Sequence, residues 1–234
     1  MAQQYRWGGL AALGGALLFV FVFIYVGLVV GADATIDGFP AVREGRTIEN
    51  ALYLAVLVLW VAPILVLDRA FRDTSPGIAR YATVLGILGL TMLAAGALPH
   101  SANVGISDLY HAPGTTEAER AALTAVWQGN QGIANMLLVT GLVMVPIGVL
   151  GLGLAMRRSP AFGTGIGTVG VGMGAIGLFT AVVLLIDPLS PVAVIGFFML
   201  IAFNAVVGWR LYTLSRGRVE RTVSTTVVTG RSVG

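Results

Sequence analysis

Cysteine and lysine are both absent from this 234-residue chain, and only 11% of its residues are charged. The absence of cysteine excludes disulfides, thiolate metal sites, iron–sulfur clusters and cysteine nucleophiles. The absence of lysine makes all 14 basic residues arginine. Since a soluble globular domain carries about 25% charged residues, the scarcity of charge indicates that much of this chain is not surrounded by water.

Six long apolar runs carry no charged residue in their middle. These are residues 8–31, 51–67, 78–99, 130–156, 163–186 and 192–214. A helix needs about 20 apolar residues to cross about 30 Å of hydrocarbon, whereas a strand of a membrane barrel needs only about 10. Because a backbone in lipid can satisfy its polar groups only as a helix or a closed barrel, we predict an all-α fold, a polytopic transmembrane bundle of six spans.

The transmembrane domain is predicted to occupy residues 1–214. The remaining segment, residues 215–234, is polar and basic without helical periodicity, so we predict a disordered tail. The first run could instead belong to a signal peptide, because Ala32-Asp33-Ala34 has the small-x-small form of a cleavage site. Its apolar length of 24 residues exceeds the roughly 7–15 typical of a signal peptide, so a retained span is favoured.

Arginine is distributed unevenly between the two ends of the spans. Eleven arginines lie on or next to the N-terminus, the 68–77 and 157–162 loops and the tail, against three at the opposite end. Those three are Arg43, Arg46 and Arg120. Because basic residues are retained in the cytoplasm, we predict a multi-pass protein of the cell (inner) membrane with both termini cytoplasmic.

Glycines recur at helical spacing in the fourth and fifth spans. The fifth span carries Gly163, Gly167, Gly170, Gly174 and Gly177. The fourth span carries Gly141, Gly148, Gly151 and Ala155. Small residues allow helix backbones to approach closely in lipid, so we predict that these two spans dock through their glycine faces. A sliding or gating interface is the functional alternative to plain packing.

A polar stripe at the start of the fourth span is the first candidate binding feature. Gln128, Gln131 and Asn135 share a helical face, and Asn204 is the deepest strongly polar side chain in the sixth span. These amides could form hydrogen bonds between helices, or they could line an outward-facing pocket for a small polar ligand or a lipid headgroup. Upstream, Thr116 and Glu119 have the spacing of a capping box, which predicts a helix start near Glu117.

The two histidines give the second candidate site. His100 and His111 lie with Asp108 in a segment predicted to be a polar loop, residues 100–120. Two imidazoles and a carboxylate could hold one metal ion and leave an open position for chemistry. Their spacing matches no helical ligand motif such as H-E-x-x-H, so solvated loop histidines are the alternative.

The sequence lacks the motifs of several other classes of function. No acidic or basic residue lies in the middle of a span, whereas proton-coupled pumps and many ion-coupled transporters carry such residues. A phosphate-binding glycine loop and a serine nucleophile elbow are both missing, and the tail has too few arginines to indicate nucleic-acid binding. We predict no cofactor, and the lipid bilayer is the expected partner, together with a membrane protein or a second copy of the chain.

The segment from Gly141 to Leu178 carries a resemblance to a known family. There a glycine-rich span ends in Met156-Arg157-Arg158-Ser159-Pro160 and a second glycine-rich span follows. This arrangement resembles a bacterial family of six-span membrane proteins classified as a domain of unknown function. The resemblance implies six spans, and it implies no activity or catalytic residue.

The sequence favours a non-catalytic membrane component: an accessory subunit, a sensor-like protein, or a bundle that binds lipid or a small ligand. The absence of charge from the middle of the spans, and of catalytic clusters, motivates this interpretation. A small transporter or permease is the alternative, with Gln128, Gln131 and Asn135 lining the path beside a kink at Pro146. A membrane-embedded, metal-dependent enzyme using His100, Asp108 and His111 is the third hypothesis.

Overall fold

The computed structural model describes the backbone of residues 1–31, 35–187 and 190–229, and side chains as far as residue 217. Every regular element in these ranges is helical, which confirms the predicted all-α class. The helices are α1 (Ala2–Tyr25), α2 (Phe39–Ala70), α3 (Pro76–Ala95), α4 (Leu98–Tyr110), α5 (Glu117–Arg158), α6 (Gly163–Ile186) and α7 (Ala193–Thr229). A π-helical turn, Val26–Val30, continues α1 and ends at Gly31, whose φ of 72° breaks the helix.

Within the described residues, six helical segments are long and apolar enough to cross a membrane. They are α1 with its π-helical turn, α2, α3 together with α4, α5, α6, and α7 as far as Gly217. Each contains one predicted span. In space they form a circuit in which α1 contacts α2, α2 contacts α3, α3 contacts α5, α5 contacts α6, α6 contacts α7, and α7 returns to α1.

The segments between the spans are more helical than the sequence analysis predicted. Helix α2 begins at Phe39, twelve residues before residue 51, and α4 fills most of the segment predicted to be a polar loop. Both helices have proline in the first turn, where a missing N–H costs no hydrogen bond. Helix α7 likewise continues to Thr229, into the tail for which disorder was predicted. Hydropathy predicts which residues would lie in lipid. It does not predict where a helix ends, because a helix can continue past the apolar run.

A capping box begins α5, as predicted. The Thr116 hydroxyl accepts a hydrogen bond from the backbone N–H of Glu119 at 3.4 Å, and the Glu119 carboxylate accepts one from the backbone N–H of Thr116 at 2.8 Å. The hydrogen bonds from the Thr116 backbone and hydroxyl hold the pKa of the exposed Glu119 carboxyl below its usual value. This carboxyl lies outside the predicted span 130–156.

The extra helical turns pack against each other at one end of the bundle. We call this region the helical cap: its core is Ile36, Phe39 and Trp127, which are all buried. The rings of Phe39 and Trp127 meet edge to face with centroids 5.2 Å apart. Arg43 of α2 pairs with Asp108 of α4 at 2.7 Å. The cap therefore joins α2, α4 and α5 through apolar and ionic contacts.

Helices α5 and α6 dock through glycine, as predicted, but α5 uses a different face. A β-carbon added to Gly174 of α6 would lie 2.6 Å from the backbone nitrogen of Leu150, and one added to Gly153 of α5 would lie 2.5 Å from the nitrogen of Val171. The predicted α5 glycines face α3 instead. A β-carbon on Gly148 would lie 2.8 Å from the carbonyl oxygen of Ala82.

This correction has a simple geometric reason. Helix α5 lies between α3 and α6, so it needs small residues on two sides, and glycine spacing does not show which neighbour each side contacts. Gly141 and Gly151 also approach α3, at Leu93 and Ala82. Gly163 belongs to neither face: it begins α6 with a φ of 77° and has open space around it.

Candidate ligand-binding cavity

A cavity of about 220 Å³ lies inside the bundle next to the helical cap. Its wall is built by α1 with the π-helical turn, α2, the junction of α3 and α4, α5, and α7. The apolar lining residues are Phe19, Val22, Phe23, Val26, Leu93, Gly96, Ala97, Ala134, Leu138 and Phe197. A cavity of about 150 Å³ can hold benzene, so this one has room for a substituted ring.

Aromatic rings form the side of the cavity nearest α1. The Phe19 ring centroid lies 5.2 Å from that of Phe23, 5.7 Å from that of Tyr53 and 5.5 Å from that of Phe197. These spacings and tilted orientations are the ones that aromatic pairs prefer. The cluster therefore presents ring faces and edges that can pack against a further ring.

Polar residues also line the cavity. They are Glu49, Asn50, Tyr53, His100 and Asn135. The Tyr53 hydroxyl oxygen is buried and has no hydrogen-bond partner among the described residues. Leaving a buried hydroxyl unsatisfied costs about 1–3 kcal/mol, and such groups are rare in folded proteins. The oxygen itself has almost no accessible surface, so Tyr53 contributes its ring to the cavity wall.

An ion pair keeps the polar part of the cavity wall electrically neutral. Arg46 Nη1 lies 2.8 Å from Glu49 Oε2, with the two side chains 18% and 21% exposed. Arg46 also donates a hydrogen bond to the carbonyl oxygen of Gly31 at 3.1 Å, where the π-helical turn ends. The pair thus connects α2 to the end of the π-helical turn and offsets the charge of Glu49, the one carboxylate among the described lining residues.

The predicted polar stripe reaches the cavity with one of its three residues. Asn135 is a lining residue, whereas Gln128 is exposed and Gln131 half-buried, and neither lines the cavity. Seven residues separate Gln128 from Asn135, which is about 10 Å along a helix. Gln128 therefore shares the helical face with Asn135 but lies two turns closer to the N-terminal end of α5.

Asn204 does not belong to this site. Its side-chain nitrogen donates a hydrogen bond to the carbonyl oxygen of Leu200 at 2.9 Å. It lines a separate space of about 10 Å³, deeper in the bundle beside Trp60. The ligand-binding role of Asn204 stays a prediction.

The three predicted metal ligands lie at separate places. His100 lines the cavity, Asp108 pairs with Arg43, and the His111 Nδ1 atom lies 2.9 Å from the carbonyl oxygen of Ser107. Nowhere in the described ranges do three or more histidine or carboxylate side chains come close enough to hold a metal ion. Helix α4 explains this, because the eight residues from His100 to Asp108 rise about 12 Å along it.

Sequence reasoning missed the contribution of α2. Glu49, Asn50 and Tyr53 line the cavity, but residue 51 was taken as the start of a span and the residues before it as a loop. The available signal was the spacing of Glu49 and Tyr53, four residues apart and therefore on one helical face. It becomes visible only once the helix is known to begin at Phe39.

Comparison with family models, curated proteins and solved structures finds no match for this chain. The resemblance to a six-span family of unknown function therefore stays a prediction. The site has to be interpreted from its own geometry.

Proposed function

We propose that this chain is a non-catalytic, multi-pass protein of the cell (inner) membrane that binds a small, uncharged, amphipathic molecule in the cavity next to the helical cap. The observation that carries the proposal is the cavity itself, whose wall is mostly apolar and aromatic with a few polar residues among them, Glu49, Asn50, His100 and Asn135. Binding sites combine mostly apolar walls with a few polar groups that fix orientation. This cavity has that composition.

The surface of the bundle supports its placement in lipid. Large apolar side chains are exposed on several helices, including Leu17 at 74%, Phe179 at 69% and Ile186 at 83%. Exposed apolar area of this extent is unfavourable in water and is covered by acyl chains in a bilayer. A further membrane protein or a second copy of the chain could cover part of the same surface.

The arginine distribution supports cytoplasmic termini. At the cap end, Arg43 and Arg46 are each paired with a carboxylate, and the Arg120 guanidinium lies 5.8 Å from the centre of the Tyr110 ring. At the opposite end, Arg72, Arg157 and Arg158 are exposed. The side with more arginines is favoured to be cytoplasmic, so the cap, which has fewer, would face outward.

Binding is favoured over transport because closely packed side chains fill the bundle next to the cavity. Trp60 and Leu142, each 1% exposed, occupy its centre, and the next space has a volume of only about 10 Å³. A transport path would need a second opening. Among the described residues, the cavity thus gives a ligand a place to bind, and tightly packed side chains lie between it and the centre of the bundle.

Photolabelling in lipid nanodiscs tests this function. We expect an uncharged phenyl-diazirine alcohol to label cavity residues of the wild-type protein, in the segments 19–26, 49–53, 93–100 and 134–138. Replacing Ala134, a buried lining residue, by Phe should reduce this labelling about tenfold, because the new ring occupies the cavity. Labelled peptides would be mapped by mass spectrometry.

Two further variants make the result decisive. Ala134→Leu fills less of the cavity and is expected to reduce labelling by a smaller factor while disturbing the fold less. Ala175→Phe, at an exposed position on α6, should leave cavity labelling unchanged. Equal labelling of the cavity segments in the wild-type protein and both Ala134 variants would contradict the proposal.

A further inference from the structure

The two ends of the bundle differ in charge. We call the end opposite the helical cap the arginine end: it comprises residues 1–7, 68–81, 157–163 and 209–217. Among the side chains that the structure describes, this end has eight arginines and only two carboxylates, Asp68 and Asp73. The arginines are Arg6, Arg69, Arg72, Arg80, Arg157, Arg158, Arg210 and Arg216. The protein therefore leaves most of this positive charge without an opposite charge.

Three of the eight arginines have a partner in the protein. A carboxylate, a backbone carbonyl and a tyrosine hydroxyl bond the guanidinium groups of Arg80, Arg210 and Arg216, respectively. The other five are exposed and form no hydrogen bond or ion pair with a described residue: Arg6, Arg69, Arg72, Arg157 and Arg158. A guanidinium has five N–H donors and no acceptor, so these groups are free to bind an anion from outside the protein.

Packing between two loops holds three of the unpaired arginines at one surface. The buried rings of Phe71 and Phe162 meet edge to face with centroids 5.1 Å apart, which joins the loop after α2 to the loop after α5. Arg72 directly follows Phe71 in the chain, and Arg157 and Arg158 lie shortly before Phe162. Because the two loops are fixed to each other, less entropy is lost when these arginines bind a common partner.

Exposed aromatic side chains indicate the depth of this end in the bilayer. Trp7 on α1, Tyr81 on α3 and Trp209 on α7 are 64%, 65% and 64% exposed. Each is the direct neighbour in sequence of an arginine of the arginine end. Tryptophan and tyrosine are enriched where the hydrocarbon layer meets the headgroups. These three residues therefore support a position of the arginines at headgroup level, where phosphates are the nearest anions.

We infer that the arginine end is a docking surface for anionic phospholipids, and that Arg72, Arg157 and Arg158 bind their phosphate groups. A guanidinium can donate two parallel hydrogen bonds to one phosphate. Clusters of about four to eight basic residues at the cytoplasmic end of a membrane helix are typical of anionic lipid recognition. The inference rests on the membrane placement in the proposed function and does not depend on the cavity.

Two lipids with the same acyl chains test the role of charge. Phosphatidylglycerol and phosphatidylcholine both contain a phosphate, but only phosphatidylglycerol has a net negative charge. Native mass spectrometry would count the lipids bound to the purified wild-type protein in an uncharged detergent. We expect phosphatidylglycerol to bind at a concentration at least about tenfold lower, because each arginine near the surface strengthens the binding of anionic lipid about fivefold.

Arg72→Gln, Arg157→Gln and Arg158→Gln together remove three charges from this surface. We expect the triple variant to bind the two lipids within about threefold of each other, because it loses affinity for phosphatidylglycerol alone. The matched variant with Lys at the same three positions keeps the charges and should keep most of the preference. Arg120→Gln, which removes an exposed charge at the cap end, should leave the preference unchanged.

Arg72→Gln alone keeps the test decisive if the triple variant does not fold. Arg72 lies in the turn between α2 and α3, and its side chain is exposed. The single change should therefore weaken phosphatidylglycerol binding about fivefold at an unchanged melting temperature. Unaltered phosphatidylglycerol binding in this variant would exclude Arg72 from the docking surface.

The outcomes separate this inference from the proposed function. Equal binding of both lipids by the wild-type protein would leave the arginines to a soluble acidic partner and overturn the inference, while the membrane placement stands. A preference for phosphatidylglycerol that persists in the triple Gln variant would also overturn it, because the binding site would then lie elsewhere. Cavity photolabelling should be the same in the wild-type protein and in this variant, so failure of ligand binding in the cavity has a separate readout.

Discussion

Gly174→Leu is expected to lower the melting temperature of the purified protein by about 5–10 °C. A β-carbon at this position would lie 2.6 Å from the backbone nitrogen of Leu150, so α5 and α6 would have to separate. Overpacking of this kind costs about 1–3 kcal/mol, and each kcal/mol corresponds to about 2–4 °C in a chain of this size. Unfolding followed by circular dichroism in detergent would measure the change.

Gly172→Leu is the matched control for this prediction. Gly172 lies on the same helix, two residues away, and no atom outside its own helical turn lies within 4 Å of a β-carbon there. Both substitutions gain the same helix propensity, about 1 kcal/mol or less, so the difference between them reports the contact with α5. Equal melting temperatures for the two variants would show that close approach at Gly174 does not stabilise the bundle.

Cysteine labelling in intact cells should give an all-or-none difference between the two ends of the bundle. The native chain lacks cysteine, so a single introduced thiol is the only target. We expect an impermeant maleimide to modify Gly105→Cys, on α4 at the cap end. Thr74→Cys, between α2 and α3, should react only after the cells are permeabilised. Both positions are exposed in the structure.

Permeabilised cells supply the control, because both thiols should then react to a similar extent. Gly105 has open space around its Cα, so a cysteine side chain fits there without displacing a neighbour. The reverse pattern, with Thr74→Cys modified in intact cells and Gly105→Cys protected, would overturn the proposed cytoplasmic termini. It would also place the cavity at the cytoplasmic end.

The sequence predicted those parts of the fold that follow from local chemistry. Six apolar runs became six apolar helices because length and hydropathy are properties of each run alone. The start of α5 followed from the hydrogen-bonding groups of Thr116 and Glu119. The glycines of α6 were assigned to the correct neighbour because the loop that connects α6 to α5 is too short for any other arrangement.

The site could not be predicted in the same way, because it depends on which helices become neighbours. Asn135 was identified from a polar stripe on one helix, but its partners in the cavity come from α1, α2, α4 and α7. Tyr53 looks ordinary in the sequence. It becomes part of the cavity wall only because helices that lie far away along the chain pack around it.

The length of α5 has a mechanical consequence. Its 42 residues form a rod of about 63 Å, roughly twice the thickness of the hydrocarbon layer. Trp127, in the cap, and Asn135, in the cavity, lie on one unbroken stretch of this rod, ahead of Pro146. A 5° tilt about the midpoint moves each end by about 3 Å. A displacement of the cap is therefore passed to the cavity along continuous helix, without a proline between Trp127 and Asn135.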